Sequence, residues 1–164
     1  MDVGRIVQDG IEYYNKGDYD KAIRCYLDAL QINNITDKGK ANIYFNIGLS
    51  YWKKNDLKQT EKFYLLSIKH NSEYIPALSD LGKLYYDMSE YKKAKSCFLR
   101  VLKLDLEYPN VIYGMALVSH VMKDYSAAIK YAEEYFKYGQ NEEFIQELKL
   151  LITDCNLKLK KIIR

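Results

Sequence analysis

The stretch Gly17-Asp18-Tyr19-Asp20-Lys21-Ala22 returns as Ser89-Glu90-Tyr91-Lys92-Lys93-Ala94 and again as Lys123-Asp124-Tyr125-Ser126-Ala127-Ala128, with a weaker copy at Asn55-Asp56-Leu57-Lys58-Gln59-Thr60. Each copy reads as a polar turn that opens a helix. The small residues at its end, Ala22, Thr60, Ala94 and Ala128, are separated by 38, 34 and 34 positions. A second column, Gly10, Gly48, Gly82 and Ala116, keeps the same 38, 34, 34, and so does a third, Tyr13, Tyr51, Tyr85 and Ser119. Three columns in step make an internal repeat the first fact about this chain.

Within each repeat, apolar residues at 3.6 spacing cover a helix of about 13 residues, then a short polar turn, then a second such helix. The small residues fall where two helix axes cross. A large side chain there would overpack at a cost of about 1–3 kcal/mol. Of the 17 tyrosines, nine (Tyr13, Tyr19, Tyr26, Tyr44, Tyr51, Tyr64, Tyr85, Tyr91 and Tyr125) sit at repeat positions, so most of the tyrosine richness is structural. Four extra residues between the first two repeats fall in the turn-rich stretch from Asn33 to Lys40, which predicts a longer loop and no broken helix.

On these residues the chain resembles the tetratricopeptide-repeat (TPR) family. The second repeat matches through Tyr44, Ile47-Gly48, Tyr51, Leu57, Thr60, Tyr64 and Ser67, and the third through Leu78, Leu81-Gly82, Tyr85, Tyr91, Ala94 and Phe98, with Pro76 near its start. The fourth departs most, with Ser119 where Tyr is usual and Ala132 where an aromatic is usual, which predicts weaker packing there. The resemblance implies an all-α fold, a right-handed α-α superhelix (TPR solenoid) of antiparallel helix pairs. It implies a single TPR domain over 1–164, with repeats at about 3–36, 41–74, 75–108 and 109–142. The tail from about Glu142 to Ile162 breaks the pattern. Its apolar face of Phe144, Ile145, Leu148, Leu151, Ile152, Cys155 and Leu159 reads as a capping helix over the end of an open stack, or as a docking helix for a partner or second copy. No cap precedes the first repeat, so self-association through that end or through the C-terminal helix is an expectation.

Composition agrees with a folded chain: 164 residues, 48% hydrophobic, 29% charged, two prolines and eight scattered glycines. A net charge of +3 from 25 basic and 22 acidic residues, interspersed, points to neither nucleic acid nor a membrane surface. The one local bias, Lys158, Lys160, Lys161 and Arg164, complements a helix macrodipole. No apolar N-terminal stretch reads as a signal peptide, and no run of about 18 apolar residues occurs. The expected compartment is cytoplasmic, where Cys25, Cys97 and Cys155 are buried thiols and Asn34-Ile35-Thr36 is a chance glycosylation match. His70 and His120 have no metal-ligand neighbours, and no CxxC, HExxH or phosphate loop occurs. Asp18-Tyr19-Asp20 lacks the rest of a calcium loop, and Glu133-Glu134 and Glu142-Glu143 read as solvated surface. The expectation is no catalysis, no cofactor and no metal.

In the TPR family the first helix of each repeat lines a concave face, and the resemblance implies its residues here. One column is Tyr14, Trp52, Tyr86 and His120. A second is Val7, Phe45, Ser79 and Tyr113, flanked by Gln8, Asn46 and Asp80. A third is Ile11, Leu49, Lys83 and Leu117, and Asn42 and Asn110 stand at the groove's mouth. Aromatics with interspersed carboxamides and few charges suit an extended or helical peptide segment of another protein. The competing reading packs some of these rings against the neighbouring first helix. The basic clamp by which family members grip acidic chaperone tails maps onto Val7, Ile11, Asn46, Pro76 and Asp80, and only Asn46 agrees. A peptide-binding adaptor is therefore the leading expectation, and a small TPR chaperone shielding a client is the second. RNA binding would want a basic inner face, whereas Lys53 and Lys83 stand against Asp80 and Asp87.

Overall fold

A computed structural model describes residues 2–162, and every regular element among them is an α-helix. The helices are α1 (Val3–Asn15), α2 (Tyr19–Leu30), α3 (Asp37–Lys53), α4 (Leu57–His70), α5 (Ile75–Asp87), α6 (Tyr91–Leu104), α7 (Pro109–Val121), α8 (Tyr125–Tyr138) and α9 (Glu142–Ile162). Turns of three residues, at 16–18, 54–56, 88–90 and 122–124, join α1 to α2, α3 to α4, α5 to α6 and α7 to α8. Links that short make antiparallel hairpins.

The repeating turn is one device used four times. Its middle residue is left-handed at Gly17 (φ 80°), Asn55 (59°), Ser89 (62°) and Lys123 (63°). The following N–H reaches back across the helix end, Asp18 to Tyr13 O (2.9 Å), Asp56 to Tyr51 O (3.0 Å), Glu90 to Tyr85 O (2.8 Å) and Asp124 to Ser119 O (2.9 Å). Each bond satisfies a carbonyl that the helix terminus would otherwise orphan. The same residue then caps the next helix: Asp18, Asp56 and Asp124 accept from the N–H of Lys21, Gln59 and Ala127 at 3.2, 3.0 and 3.2 Å. Glu90, one methylene longer, makes no such cap.

The extra residues after the first repeat do more than lengthen a loop, which corrects the sequence expectation. Thr36 Oγ1 accepts from Gly39 N–H at 3.1 Å and starts α3 at Asp37. The helix is thereby 17 residues long against 13 for α1, α5 and α7. A cap of this kind is worth about 1 kcal/mol, which offsets much of the unfavourable helix propensity of Asp37 and Gly39.

The chain divides into two compact units, Met1–Leu81 and Gly82–Arg164, with the division inside α5. In the first, α2 packs on α1 and α3, and α3 on α4, around Ala22, Ile23, Tyr26, Ile43, Ile47 and Phe63. In the second, α7 packs on α6 and α8, and α9 on α8 and α7; Phe98, Val101, Ile112, Met115, Tyr135 and Leu148 are buried there. The small-residue column is a slot for a ring. A Cβ on Gly10 would lie 2.5 Å from Tyr26 Cε1, and one on Gly48 2.5 Å from Tyr64 Cδ1; Gly82 is as tight against Phe98. In the fourth pair both positions are alanine, Ala116 and Ala132, and both are wholly buried. Where the ring is absent, the first helix carries a methyl group. The other departure in that pair does have a cost, because Ser119 is buried and its hydroxyl has no partner among the described residues.

The expected apolar face of the tail helix is the one that packs: Leu148, Leu151 and Cys155 are buried, with Phe144, Ile145, Ile152 and Leu159 half-buried. Of the basic run, Lys160 and Lys161 lie in the last turn of α9 and Lys158 bonds Asp154 at 2.7 Å, while Arg164 lies outside the described residues.

Candidate functional site

None of the fifteen predicted groove residues is buried. In the first unit Val7, Ile11, Tyr14, Phe45, Asn46, Leu49 and Asp80 are half-buried, and Asn42 and Trp52 are exposed. The i, i+4 spacing of Asn42 and Asn46 on α3 brings their amides together, so that Asn46 Nδ2 donates to Asn42 Oδ1 at 3.2 Å. Asn42 Nδ2 donates in turn to the Tyr74 hydroxyl at 3.1 Å. Each amide keeps a second N–H beyond these bonds. Beside them Phe45 stacks on Tyr64 with ring centres 5.5 Å apart and meets Tyr74 edge-on at 5.6 Å. Further along α3, the ammonium of Lys53 lies 5.0 Å from the centre of the Trp52 ring. Burial raises the phenol pKa of Tyr14 and of Tyr64, and the Asp80 carboxylate raises both further. The face therefore combines rings and amides with one negative point among them.

In the second unit Tyr86, Tyr113, Leu117 and His120 are half-buried, and Lys83 and Asn110 are exposed. Two of these are taken by α9. Tyr113 stacks on Phe144, with ring centres 4.1 Å apart and planes within 10°, and its hydroxyl donates to Glu147 Oε2 at 2.6 Å. Burial first, then Glu147, pushes that phenol above its ordinary pKa. His120 Nε2 lies 2.6 Å from Asp154 Oδ2, and Asp154 also binds Lys158. The Tyr113 ring is thus packed on the neighbouring helix α9, and the His120 imidazole is held by a carboxylate of that helix. Tyr86 packs edge-on to Tyr91 at 5.6 Å.

Sequence reasoning missed Tyr74, which holds the amide pair. Its signal was a further column: Tyr74 and Tyr108 are 34 apart, each just before a helix with a proline, Pro76 or Pro109, in its first turn. A cleft of about 730 Å³ in the second unit lies elsewhere, on the second helices, between Leu99, Arg100 and Lys103 of α6 and Lys130, Tyr131 and Tyr138 of α8.

Models of the TPR repeat match residues 10–55, and tetratricopeptide-repeat models match 41–74 and 75–108, so together they run from residue 10 to residue 108 of 164. The chain belongs to the tetratricopeptide-repeat family. Its fold is the all-α helix-hairpin solenoid of TPR proteins. A TPR protein of Parabacteroides merdae superposes with a TM-score of 0.84 at 14% identity, over 95% of this chain and 60% of that one. The first TPR domain of Spaghetti (RPAP3), solved bound to the HSP90 peptide SRMEEVD, superposes at 0.66 with 21% identity, over 73% and 92%. Among curated proteins, the uncharacterized protein ycf37 of Guillardia theta is 30% identical over 99 residues, 60% of this chain and 56% of that protein. The chain thus spans about half the length of that relative. TPR domains are protein-interaction scaffolds, generally without catalysis of their own. Among the described residues no helix is long and apolar enough to cross a membrane, and no His, Cys, Asp and Glu cluster is placed to hold a metal ion.

Proposed function

We propose that this chain is a non-catalytic protein–protein interaction adaptor, and that the inner face of α1 and α3 holds a peptide segment of its partner. The observation that carries this reading is the amide pair Asn42–Asn46, braced by Tyr74 beside Phe45, Leu49 and the exposed Trp52. An extended backbone needs both donors and acceptors, which carboxamides supply together, while rings flanking them supply buried area at low entropic cost. Asp80 in the same unit disfavours acidic chaperone tails, and of the positions that would clamp such a tail only Asn46 fits. The reading places the protein in the cytoplasm, where its three free thiols stay reduced.

The test is a peptide selection on the immobilised chain, followed by titration of a selected peptide against the fluorescence of Trp52, the one tryptophan. Trp52→Ala (followed by calorimetry) and Asn46→Ala should each weaken binding about tenfold or more, equivalent to about 1.4 kcal/mol. A peptide ending in Glu-Glu-Val-Asp should bind no better than a scrambled one. Unchanged affinity in both variants would place the site elsewhere. A partner that loses solubility when the chain is withdrawn would favour the chaperone role instead.

A further inference from the structure

We propose that two copies of the chain pair through the outer faces of their α9 helices, running antiparallel about a two-fold axis. The side of α9 opposite its buried stripe presents Glu142, Glu143, Leu150, Leu157, Lys160 and Lys161, all exposed. Leu150 is 73% exposed and Leu157 56%, one above the other two turns apart. The helices against which α9 packs, α7 and α8, leave both leucines open.

Helix register explains why this surface suits another helix. Tyr113–Glu147 and His120–Asp154 are both 34 residues apart, so α9 follows α7 at the period of the repeat. It stacks on α8 as α3 does on α2 and α7 on α6. By that register Leu150 falls in the column of Gly10, Gly48 and Ala116. In α1, α3 and α5 this column, at Gly10, Gly48 and Gly82, faces a ring on the second helix of the pair. On α9 the equivalent face is uncovered and carries leucine in place of the close-packed glycine.

Charge selects the occupant. The first turn of α9 is acidic, Glu142 and Glu143, and the last is basic, Lys160 and Lys161. A parallel copy would set like charges together. An antiparallel copy centred between Thr153 and Asp154 sets Leu150 of each chain on Leu157 of the other and brings each acidic end to the opposite basic end. Opposed helix dipoles favour the same arrangement. The helix complements itself, and an isologous contact of this kind closes at two subunits. A strip one helix wide, about 31 Å long for 21 residues, is smaller than a standard interface, so the pairing should be weak and salt-sensitive.

Sedimentation equilibrium of the 164-residue chain tests this. A reversible dimer is expected, with its midpoint on the order of tens of micromolar, weakening as salt rises. Leu150→Glu and Leu157→Glu should each raise the midpoint about tenfold or more. The double variants Glu142→Lys/Glu143→Lys and Lys160→Glu/Lys161→Glu should each be monomeric alone and form a mixed dimer when combined. All these positions are exposed, so helix content by circular dichroism should match the parent chain. A parent chain that stays monomeric across the range overturns the proposal. So does a dimer indifferent to Leu150→Glu, or folded charge variants that fail to pair when mixed.

Discussion

Gly48→Ala tests the packing of the hairpins most directly. Considered as a helix alone, α3 should gain about 1 kcal/mol from the change, since alanine is the better helix former. The new Cβ, however, would stand 2.5 Å from Cδ1 and 2.6 Å from Cε1 of Tyr64. That ring is only 2% exposed and Phe45 lies stacked against it, so it has no easy retreat. Overpacking of this kind costs about 1–3 kcal/mol, towards the upper end for a pinned ring, and the net expectation is a loss of about 1–2 kcal/mol. For a chain of this size the midpoint should fall by about 5 °C in thermal melts. The sign should reverse once the ring is gone. In a Tyr64→Ala background, itself destabilised by about 3–5 kcal/mol and best measured in urea at low temperature, Gly48→Ala should stabilise by about 1 kcal/mol. The double-mutant cycle should therefore close on a coupling of about 2–3 kcal/mol. If Gly48→Ala is neutral or stabilising with Tyr64 in place, or costs the same in both backgrounds, the glycine column is not a slot for a ring.

Ser89→Gly and Lys123→Gly should each stabilise by about 0.5–1 kcal/mol in urea melts, because both residues hold a left-handed conformation that costs a side chain about 1–2 kcal/mol. Asn55→Gly should do less, since asparagine tolerates that region. Ser119→Ala should raise stability by about 1 kcal/mol by removing a buried hydroxyl with no partner, and a loss on the same scale would mean the hydroxyl is satisfied in solution. Asp154 is held below the usual carboxylate pKa, first by its bond to Lys158 and then by His120. Its folded pKa is depressed, so its contribution is present above the unfolded value of about 3.9 and is lost as pH falls through the folded one. Amide exchange in α9 should therefore quicken relative to α7 below about pH 4, and Asp154→Asn should flatten that dependence.

The hairpins were legible in the sequence because everything that makes them is local. The left-handed turn residue, the capping aspartate and the glycine–ring match all lie within 16 positions of one another. The start of α3 was not legible, because Asp37 and Gly39 read as turn residues until the Thr36 cap is seen to bind the Gly39 N–H. The fate of Tyr113 and His120 was hidden differently. Their partners Glu147 and Asp154 carry the repeat one period further, but α9 has lost the signature glycine and tyrosine, so its register shows in its contacts and not in the motif. Tyr74 lay outside the first-helix columns and came to light only through its bond to Asn42.

The ring and its slot also set the rules by which such a chain can be cut and recombined. Gly10 with Tyr26, Gly48 with Tyr64 and Gly82 with Phe98 are each a matched set, and so are the two alanines of the fourth hairpin. A whole hairpin moved to another place carries that pairing with it, but Phe98 of α6 also lies against Gly114 of α7, where a Cβ would stand 2.8 Å from the ring, so the third hairpin is matched to the helix that follows as well. A single helix exchanged between the second and fourth hairpins does not. Ala116 in α7 would meet Tyr64 if α4 were set against it, and Gly48 in α3 would leave a void against Ala132 of α8. The two helices of a hairpin are thus bound to be inherited, duplicated or transplanted together, and the third hairpin brings with it a demand for glycine in the helix that follows.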